Sequence, residues 1–203
     1  MTKDKKVSSK DFLAQCYAHP NYVAEKAERD RLFEERMKRI RAEDEPVLSD
    51  LRNIGLLYET VGHLAASPNI DYLRATPTLL KHMLVETYSA RLRETLARSL
   101  AMKQVRHLWP ILVEEYEKAS NLMTDGYCYK DGLAVALSVM VSADTMDELI
   151  SLAKKQCHGE SRIFFVKMIA KSTSEAAKKA IEELVNDPDM AKEIAALRKR
   201  KKT

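Results

Sequence analysis

The chain has 203 residues, of which 45% are hydrophobic, 32% charged and only 6% aromatic. With 5 glycines and 6 prolines, it has few helix breakers, which favours an all-α protein and argues against a β-sandwich. The net charge of +4 comes from 34 basic and 30 acidic residues, so a dedicated polyanion-binding protein is disfavoured unless the charges are sorted by face.

Cysteine usage and hydropathy predict a soluble cytoplasmic protein. Cys16, Cys128 and Cys157 are widely spaced and form neither a disulfide framework nor a zinc pattern, so reduced thiols are expected. The first eleven residues lack the apolar core of a signal peptide. The strongest apolar run, residues 133–141, is too short to cross a bilayer, so we expect no membrane contact.

The N-terminal third predicts helices that cap a larger body. Residues 1–21 read as a flexible segment with a short helix, and residues 22–69 as a long charged helix followed by a capping helix. Pro46 is expected to open that second helix, because a first helical turn tolerates proline. The long helix has a narrow apolar stripe, which favours packing on the rest of the protein, with a coiled-coil dimer as the alternative.

Residues 70–200 predict four successive helical hairpins at a period of roughly thirty to forty residues, typical of stacked helical repeats. Capping boxes are expected at 145–148 and 172–175, where a hydroxyl and a carboxylate stand three residues apart. Two helices, around 133–141 and 163–169, are apolar nearly all round, so each must be covered on several sides. Residues 201–203 are the end of a basic tail.

The last hairpin resembles a HEAT repeat. It has Asp187-Pro188 in the turn between its helices, the basic residue Lys192 early in the second helix, and small residues before Leu197. The second and third hairpins depart from this pattern at their turns, where Asp-Gly and Gly-Glu replace Asp-Pro. By the same alignment, the basic position of the earlier hairpins is occupied by Arg93, Lys130 and Arg162.

The resemblance implies a short right-handed α-solenoid of HEAT-like hairpins with an N-terminal helical cap, and a plain helical bundle is the alternative. In a solenoid the second helices line a concave face that commonly binds partners. Basic residues on or beside those helices are therefore candidate partner contacts, although they could instead stabilise the next repeat or its turn carboxylates. The candidates are Arg91, Arg93, Arg98, Lys130, Arg162, Lys167 and Lys171.

No pattern in the sequence indicates a reaction. There is no phosphate-binding glycine loop, dinucleotide fingerprint or zinc helix, and no cofactor or metal site is predicted. Cys157-His158 is interpreted as surface packing, because neighbours on a helix point about 100° apart, and Glu114-Glu115 as a solvated pair. Trp109, the single tryptophan, is expected to anchor the core of the second hairpin.

The sequence therefore predicts a non-enzymatic protein that binds or sequesters a protein partner, through the concave face or the long charged helix. A nucleic-acid-binding HEAT-like protein is the alternative, using the concave basic residues and the basic run at 198–202. Among enzymes, a HEAT-like DNA glycosylase is the least unlikely class. Such enzymes use a concave pocket of aromatic and acidic residues, whereas this chain has a single Trp and no second aromatic residue at a corresponding position.

Overall fold

Helices make up nearly all the regular structure of this computed structural model, which describes residues 8–66 and 71–200. Within those residues no strand occurs beyond one isolated bridge between Thr124 and Tyr127, so the all-α prediction is confirmed. The helices are α1 Ser9–Tyr17, α2 Pro20–Asn53, α3 Val61–Ala66, α4 Tyr72–Met83, α5 Ala90–Ser99, α6 Trp109–Lys118, α7 Tyr129–Met140, α8 Met146–Lys154, α9 Ile163–Ile169, α10 Glu175–Leu184 and α11 Ala191–Arg200, with 3₁₀ helices at Lys103–Leu108 and Gln156–Arg162.

Some predicted features fall outside this part of the chain. They are the first residues of the N-terminal segment, most of the turn after α3 and the basic tail end at 201–203. Across the residues that are described, no helix combines the length and the apolar character needed to cross a bilayer.

The chain divides into two compact units, residues 1–43 and 44–203. The first unit contains α1 and the start of α2. Its surface carries ion pairs one helical turn apart, such as Lys26 Nζ to Asp30 Oδ2 at 2.6 Å and Arg31 Nη1 to Glu35 Oε1 at 2.6 Å. Pairs of this kind stabilise a helix by about 0.2–0.5 kcal/mol each, which supports a helix with little buried surface.

The prediction that Pro46 opens a new helix is wrong, because α2 continues through it to Asn53. An interior proline loses a backbone hydrogen bond, at a cost of about 3 kcal/mol. Val47, Leu48 and Leu51 are all buried in the second unit, and burial of each side chain contributes roughly 1.5–3 kcal/mol. That packing outweighs the loss at Pro46.

A glycine just beyond Asn53 ends α2. Gly55 has φ of 78°, the left-handed conformation that favours glycine after a helix C-terminus. The Leu56 amide then donates to the Leu51 carbonyl at 2.9 Å, and the Gly55 amide donates to the Arg52 carbonyl at 2.8 Å. These bonds satisfy the last carbonyls of α2 and turn the chain towards α3.

The helices α4 to α11 follow one another in the predicted order as four successive helix pairs along the chain. The two helices of each of the first three pairs pack on each other, whereas α10 packs on α8 and α9. α4 packs against α5, α6 against α7, and α8 against α9. The second helix of each pair also packs on the next one, since α5 contacts α7, α7 contacts α9, and α9 contacts α11. The apolar helices α7 and α9 are covered on several sides, as their composition predicted.

Helix starts differ in detail from the predicted capping boxes. Ser174, not Ser172, caps α10, where its Oγ accepts a hydrogen bond from the Ala177 amide at 3.2 Å. Thr145 precedes α8 without capping it. Its Oγ1 instead accepts from the Ser142 amide at 2.9 Å, which stabilises the turn between α7 and α8.

Candidate functional site

The aligned basic residues Arg93, Lys130 and Arg162, called here the turn cations, occupy equivalent places. Each lies at the start of a second helix and donates to a carbonyl at the end of the preceding first helix. The bonds are Arg93 Nε to Met83 O at 3.2 Å, Lys130 Nζ to Ala119 O at 2.8 Å, and Arg162 Nη1 to Ala153 O at 3.2 Å. Carbonyls at a helix C-terminus have no partner within the helix. By bonding to one of them, each turn cation links the two helices of its own pair.

Arg162 also joins its helix pair to the next one. Its side chain is 1% exposed, and it donates to Asp187 Oδ2 at 2.7 Å and to Asp189 Oδ2 at 2.7 Å. Both carboxylates belong to the Asp-Pro turn before α11. The Arg162 hydrogen bond holds the pKa of the Asp187 carboxyl below its usual range, against the opposing effect of burial.

The other turn cations make weaker links. Arg93 stacks on Tyr129, with its guanidinium carbon 3.7 Å from the ring centroid, and its Nη2 lies 3.4 Å from Glu115 Oε2. Lys130 is 3% exposed, and burial lowers the pKa of its amine. Its Nζ lies 5.1 Å from the centroid of the Tyr116 ring.

These contacts correct the list of partner-binding candidates. Lys130 and Arg162 cannot contact a partner on this fold, because both are buried and bonded within the protein. Arg93 is largely taken up by Met83, Glu115 and Tyr129. Arg91 Nη2 donates to the buried carboxylate of Asp44.

Arg98, Lys167 and Lys171 remain available at the surface. Arg98 Nε donates to Glu94 Oε1 at 2.7 Å, but its side chain is 37% exposed. Lys167 and Lys171 are exposed on α9 and just after it.

The uncovered side of the second helices is continuous from α5 to α9. On α7 only Asp131, Val135, Ser138 and Val139 are half-exposed, and helical spacing places them on one side. The Arg98 guanidinium carbon, from α5, lies 5.8 Å from the centroid of the Phe164 ring on α9. We call this surface the second-helix face. It comprises Arg98, Asp131, Val135, Ser138, Phe164, Lys167, Met168 and Lys171.

A cavity of about 440 Å³ opens between the first two helix pairs, at the edge where their internal turns lie. Tyr88, Arg93, Glu115 and Tyr129 form much of its wall, with Glu86 and Lys118 at its margin. Tyr129 donates its hydroxyl to Glu115 Oε2 at 3.1 Å. Burial raises the pKa of Tyr129, so the phenol stays protonated and remains a donor. We call this space the turn-edge cavity.

Behind the turn-edge cavity, Tyr88 ends a chain of hydrogen bonds. Its hydroxyl lies 2.9 Å from His82 Nδ1, and His82 Nε2 lies 3.0 Å from Asp50 Oδ2. Lys81 Nζ also donates to Asp50 Oδ2 at 2.7 Å. Lys81 and His82 hold the pKa of the Asp50 carboxyl below its usual range, so Asp50 is ionised and accepts both bonds.

Two interpretations made from the sequence, those of His158 and Glu115, are wrong. His158 is buried rather than superficial, and burial lowers the pKa of its ring. Glu117 Oε2 lies 3.2 Å from His158 Nε2, but off the hydrogen-bond direction, so Nε2 has no aligned partner among the described residues. Glu115 is also not simply solvated, since it faces the turn-edge cavity.

Trp109 is a core residue, as predicted. It is 5% exposed, and its Nε1 donates to Glu148 Oε2 at 2.6 Å. That bond runs from the start of α6 to the first turn of α8.

Of the residues that line the turn-edge cavity, sequence reasoning proposed only Arg93 as a binding residue and missed Tyr88, Glu115 and Tyr129. Asp50 and His82 are 32 residues apart, and no motif joins them to Tyr88 or Glu115. In the described residues, no group of His, Cys, Asp and Glu side chains is arranged to hold a metal ion.

Comparisons with known proteins give no relative for this chain. No family model matches it, and neither a curated protein nor a solved structure does.

Proposed function

We propose that residues 44–200 form a short right-handed HEAT-like α-solenoid, capped by the end of α2 and by α3, and that the protein is a non-enzymatic binding protein. The order in which α5, α7, α9 and α11 pack supports this architecture. The turn cations support it too, because one type of contact recurs at one position of successive helix pairs. Repeats of this kind contact mainly their neighbours and leave an extended surface for binding.

The second-helix face is the surface we assign to a protein partner. The observation that carries this assignment is the approach of Arg98 to Phe164 across α7, which joins the sides of three helices into one surface. Aromatic residues and arginine are the types most often found at the energetic centre of protein interfaces. Val135 and Met168 add half-exposed apolar area beside them.

Nucleic acid is the weaker alternative occupant. Most of the basic residues predicted to face a ligand are bonded inside the protein, which leaves Arg98, Lys167 and Lys171 on this surface. Asp131 lies among them, and its pKa is raised first by burial and then by the nearby charge of Glu94. A surface with few free cations and nearby carboxylates suits a protein partner better than a phosphate backbone.

Reversing the charge of the exposed lysines on the face tests the assignment. The Lys167→Glu/Lys171→Glu variant should bind the partner roughly tenfold to a hundredfold more weakly, because like charges across an interface cost several kcal/mol. Partners would be captured from the native source on the full chain, and affinities measured by titration calorimetry. The matched control, Lys178→Glu/Lys179→Glu, makes the same charge change on α10, where both lysines are exposed, and should bind like the unaltered protein.

A partner that binds both variants equally well would remove the second-helix face from the proposal. Capture of nucleic acid alone, with an affinity that falls steeply as salt rises, would replace the proposal by its alternative.

A further inference from the structure

The uncovered side of α9, with the residues just before and after the helix, changes in chemistry from one end to the other. It carries, in chain order, Glu160, Phe164, Lys167 and Lys171. Intervals of three and four residues place these side chains in line on a helix. Gly159, which has non-helical backbone angles, comes before Glu160, so the helical path is unbroken from Glu160 into α9. A carboxylate therefore comes first along this side, an aromatic ring second and two ammonium groups last.

The neighbouring helix α7 begins in the same way. Asp131 lies in its first turn, and Val135 follows one turn later on the same side. Burial raises the pKa of Asp131 first, and the charges of Glu94 and Glu160 raise it further, so Glu160 lies near Asp131. The second-helix face thus has two charged margins. We call them the acidic edge, formed by Asp131 and Glu160, and the basic edge, formed by Lys167 and Lys171.

Each edge keeps an excess of one charge. The cation whose charge acts on Asp131 is Arg98, and Arg98 Nε is already bonded to Glu94 Oε1 at 2.7 Å. Counting Glu94, three carboxylates therefore stand against one guanidinium at the acidic edge. At the basic edge both lysines are exposed, and no side chain among the described residues forms a hydrogen bond or an ion pair with either of them.

The distance between the two edges matches the width of an α-helix. From Glu160 to Lys167 the chain rises about 10–12 Å, at roughly 1.5–2.0 Å per residue for α and 3₁₀ geometry. An α-helix with its side chains is about 10–12 Å across. Val135 and Phe164, both half-exposed, lie between the edges. A helix lying across α7 and α9 at this level would therefore cover these two side chains and set its flanks against opposite charges.

We propose that the second-helix face binds an amphipathic helix of a protein partner, with basic residues along one flank of its apolar stripe and acidic residues along the other. This proposal rests on the proposed function and specifies the chemistry of the partner. The basic flank meets the acidic edge, the acidic flank meets the basic edge, and the apolar stripe covers Val135 and Phe164. Docking of a helix by its apolar stripe is a recurrent mode of recognition, and complementary charges at its flanks fix its register.

Two designed peptides test this arrangement on the unaltered full chain. The sorted peptide, about 18 residues or roughly 27 Å long as a helix, has a stripe of leucine and alanine, lysine along one flank and glutamate along the other. The mixed peptide has the same composition, with lysine and glutamate alternating along both flanks. In fluorescence anisotropy the sorted peptide should bind roughly tenfold more tightly, because the mixed one sets like charges against part of each edge. Amide resonances of Val135 and Phe164 should shift as it binds.

Exchanging the charges of the two edges gives a second test. Reversing one edge alone, by Asp131→Lys/Glu160→Lys or by Lys167→Glu/Lys171→Glu, should weaken binding of the sorted peptide roughly tenfold, since one flank then faces its own charge. Reversing both edges together should restore the affinity. A helix that binds in the opposite direction then again sets each flank against the opposite charge.

Lys178→Glu/Lys179→Glu is the matched control for the basic edge. It makes the same charge change at exposed residues of α10 and should bind the sorted peptide like the unaltered protein. Circular dichroism of each variant would show whether it keeps its helices. Because the comparison of the two peptides uses the unaltered chain, it decides the matter even where a reversed variant does not fold.

Equal binding of the two peptides would overturn the proposal, as would a sorted peptide that does not saturate, or a doubly reversed protein that binds no better than the singly reversed ones. If both peptides bound equally and shifted Val135 and Phe164, the second-helix face would remain a protein-binding surface without a preference for sorted charges. Failure of the proposed function is a different result, namely a captured partner whose affinity does not change in Lys167→Glu/Lys171→Glu.

Discussion

Replacing Arg162 by methionine should lower the free energy of unfolding by about 3–5 kcal/mol, the usual cost of removing one partner from a buried ion pair. The substitution leaves the carboxylate of Asp187, 9% exposed, without its cation. It also removes the donors to the carbonyls of Ala153 and Gly159. Urea unfolding followed by circular dichroism would measure the change as a lower midpoint.

Lys192→Met is the matched control for Arg162→Met. Lys192 holds the aligned basic position in the last helix pair, but it is exposed, and no described side chain bonds to it. Its replacement should change stability by less than about 0.5 kcal/mol. Equal effects of the two substitutions would mean that the Arg162 cluster does not hold the fourth helix pair in place.

Acid provides an independent check on the same cluster. The folded-state pKa of Asp187 is lowered, mainly by Arg162, so its ionisation contributes stability above the unfolded-state value of about 3.9. That contribution is lost as pH falls from there through the lower folded-state pKa. Arg162→Met should therefore flatten the fall in stability below about pH 4, whereas Lys192→Met should leave it unchanged.

Replacing Gly132 by alanine should destabilise the protein by about 1–3 kcal/mol, the usual cost of overpacking a tight contact. A Cβ atom at this position would lie 2.7 Å from the Glu94 carbonyl oxygen and 3.0 Å from the Glu94 Cα. Since both are backbone atoms, α5 and α7 would have to separate. Separation would also weaken the bond from the Cys128 amide to Glu94 Oε2, 2.7 Å long, at the start of α7.

Gly62→Ala is the control for Gly132→Ala, because Gly62 also lies in a helix, α3, and its added Cβ would meet Thr60 Oγ1 at an ordinary 3.7 Å. Alanine should be neutral there or stabilise the helix by up to about 1 kcal/mol. Thermal unfolding of both variants would measure the difference in their stability. If Gly132→Ala proved no less stable than Gly62→Ala, close contact of α5 with α7 would not be required.

The eight helices after residue 70 could be predicted because their signals are local. Apolar residues recur at helical spacing in each, and turn residues separate them. The same reasoning failed at Pro46, where the local rule against interior proline gave way to burial of Val47 and Leu51. That burial depends on helices far along the chain, so no local pattern reveals it.

The turn cations show what the spacing of residues in the sequence can predict and what it cannot. Their period located Arg93, Lys130 and Arg162 at equivalent positions. Spacing left two directions open for each side chain, towards a ligand or towards the carbonyls and carboxylates of the turns. The structure puts Lys130 and Arg162 in the second direction. The turn-edge cavity lay beyond sequence reasoning, since Asp50, His82 and Tyr88 come together only when α2 packs near α4.

The bond between Trp109 and Glu148 gives this protein a built-in optical reporter. Trp109 is the only tryptophan in the chain, and its indole N–H contacts a carboxylate of the following helix pair. Its fluorescence therefore senses one junction, that between α6 and α8, without added dye. Emission that moved to longer wavelength before helical circular dichroism was lost would reveal separation of adjacent helix pairs ahead of global unfolding.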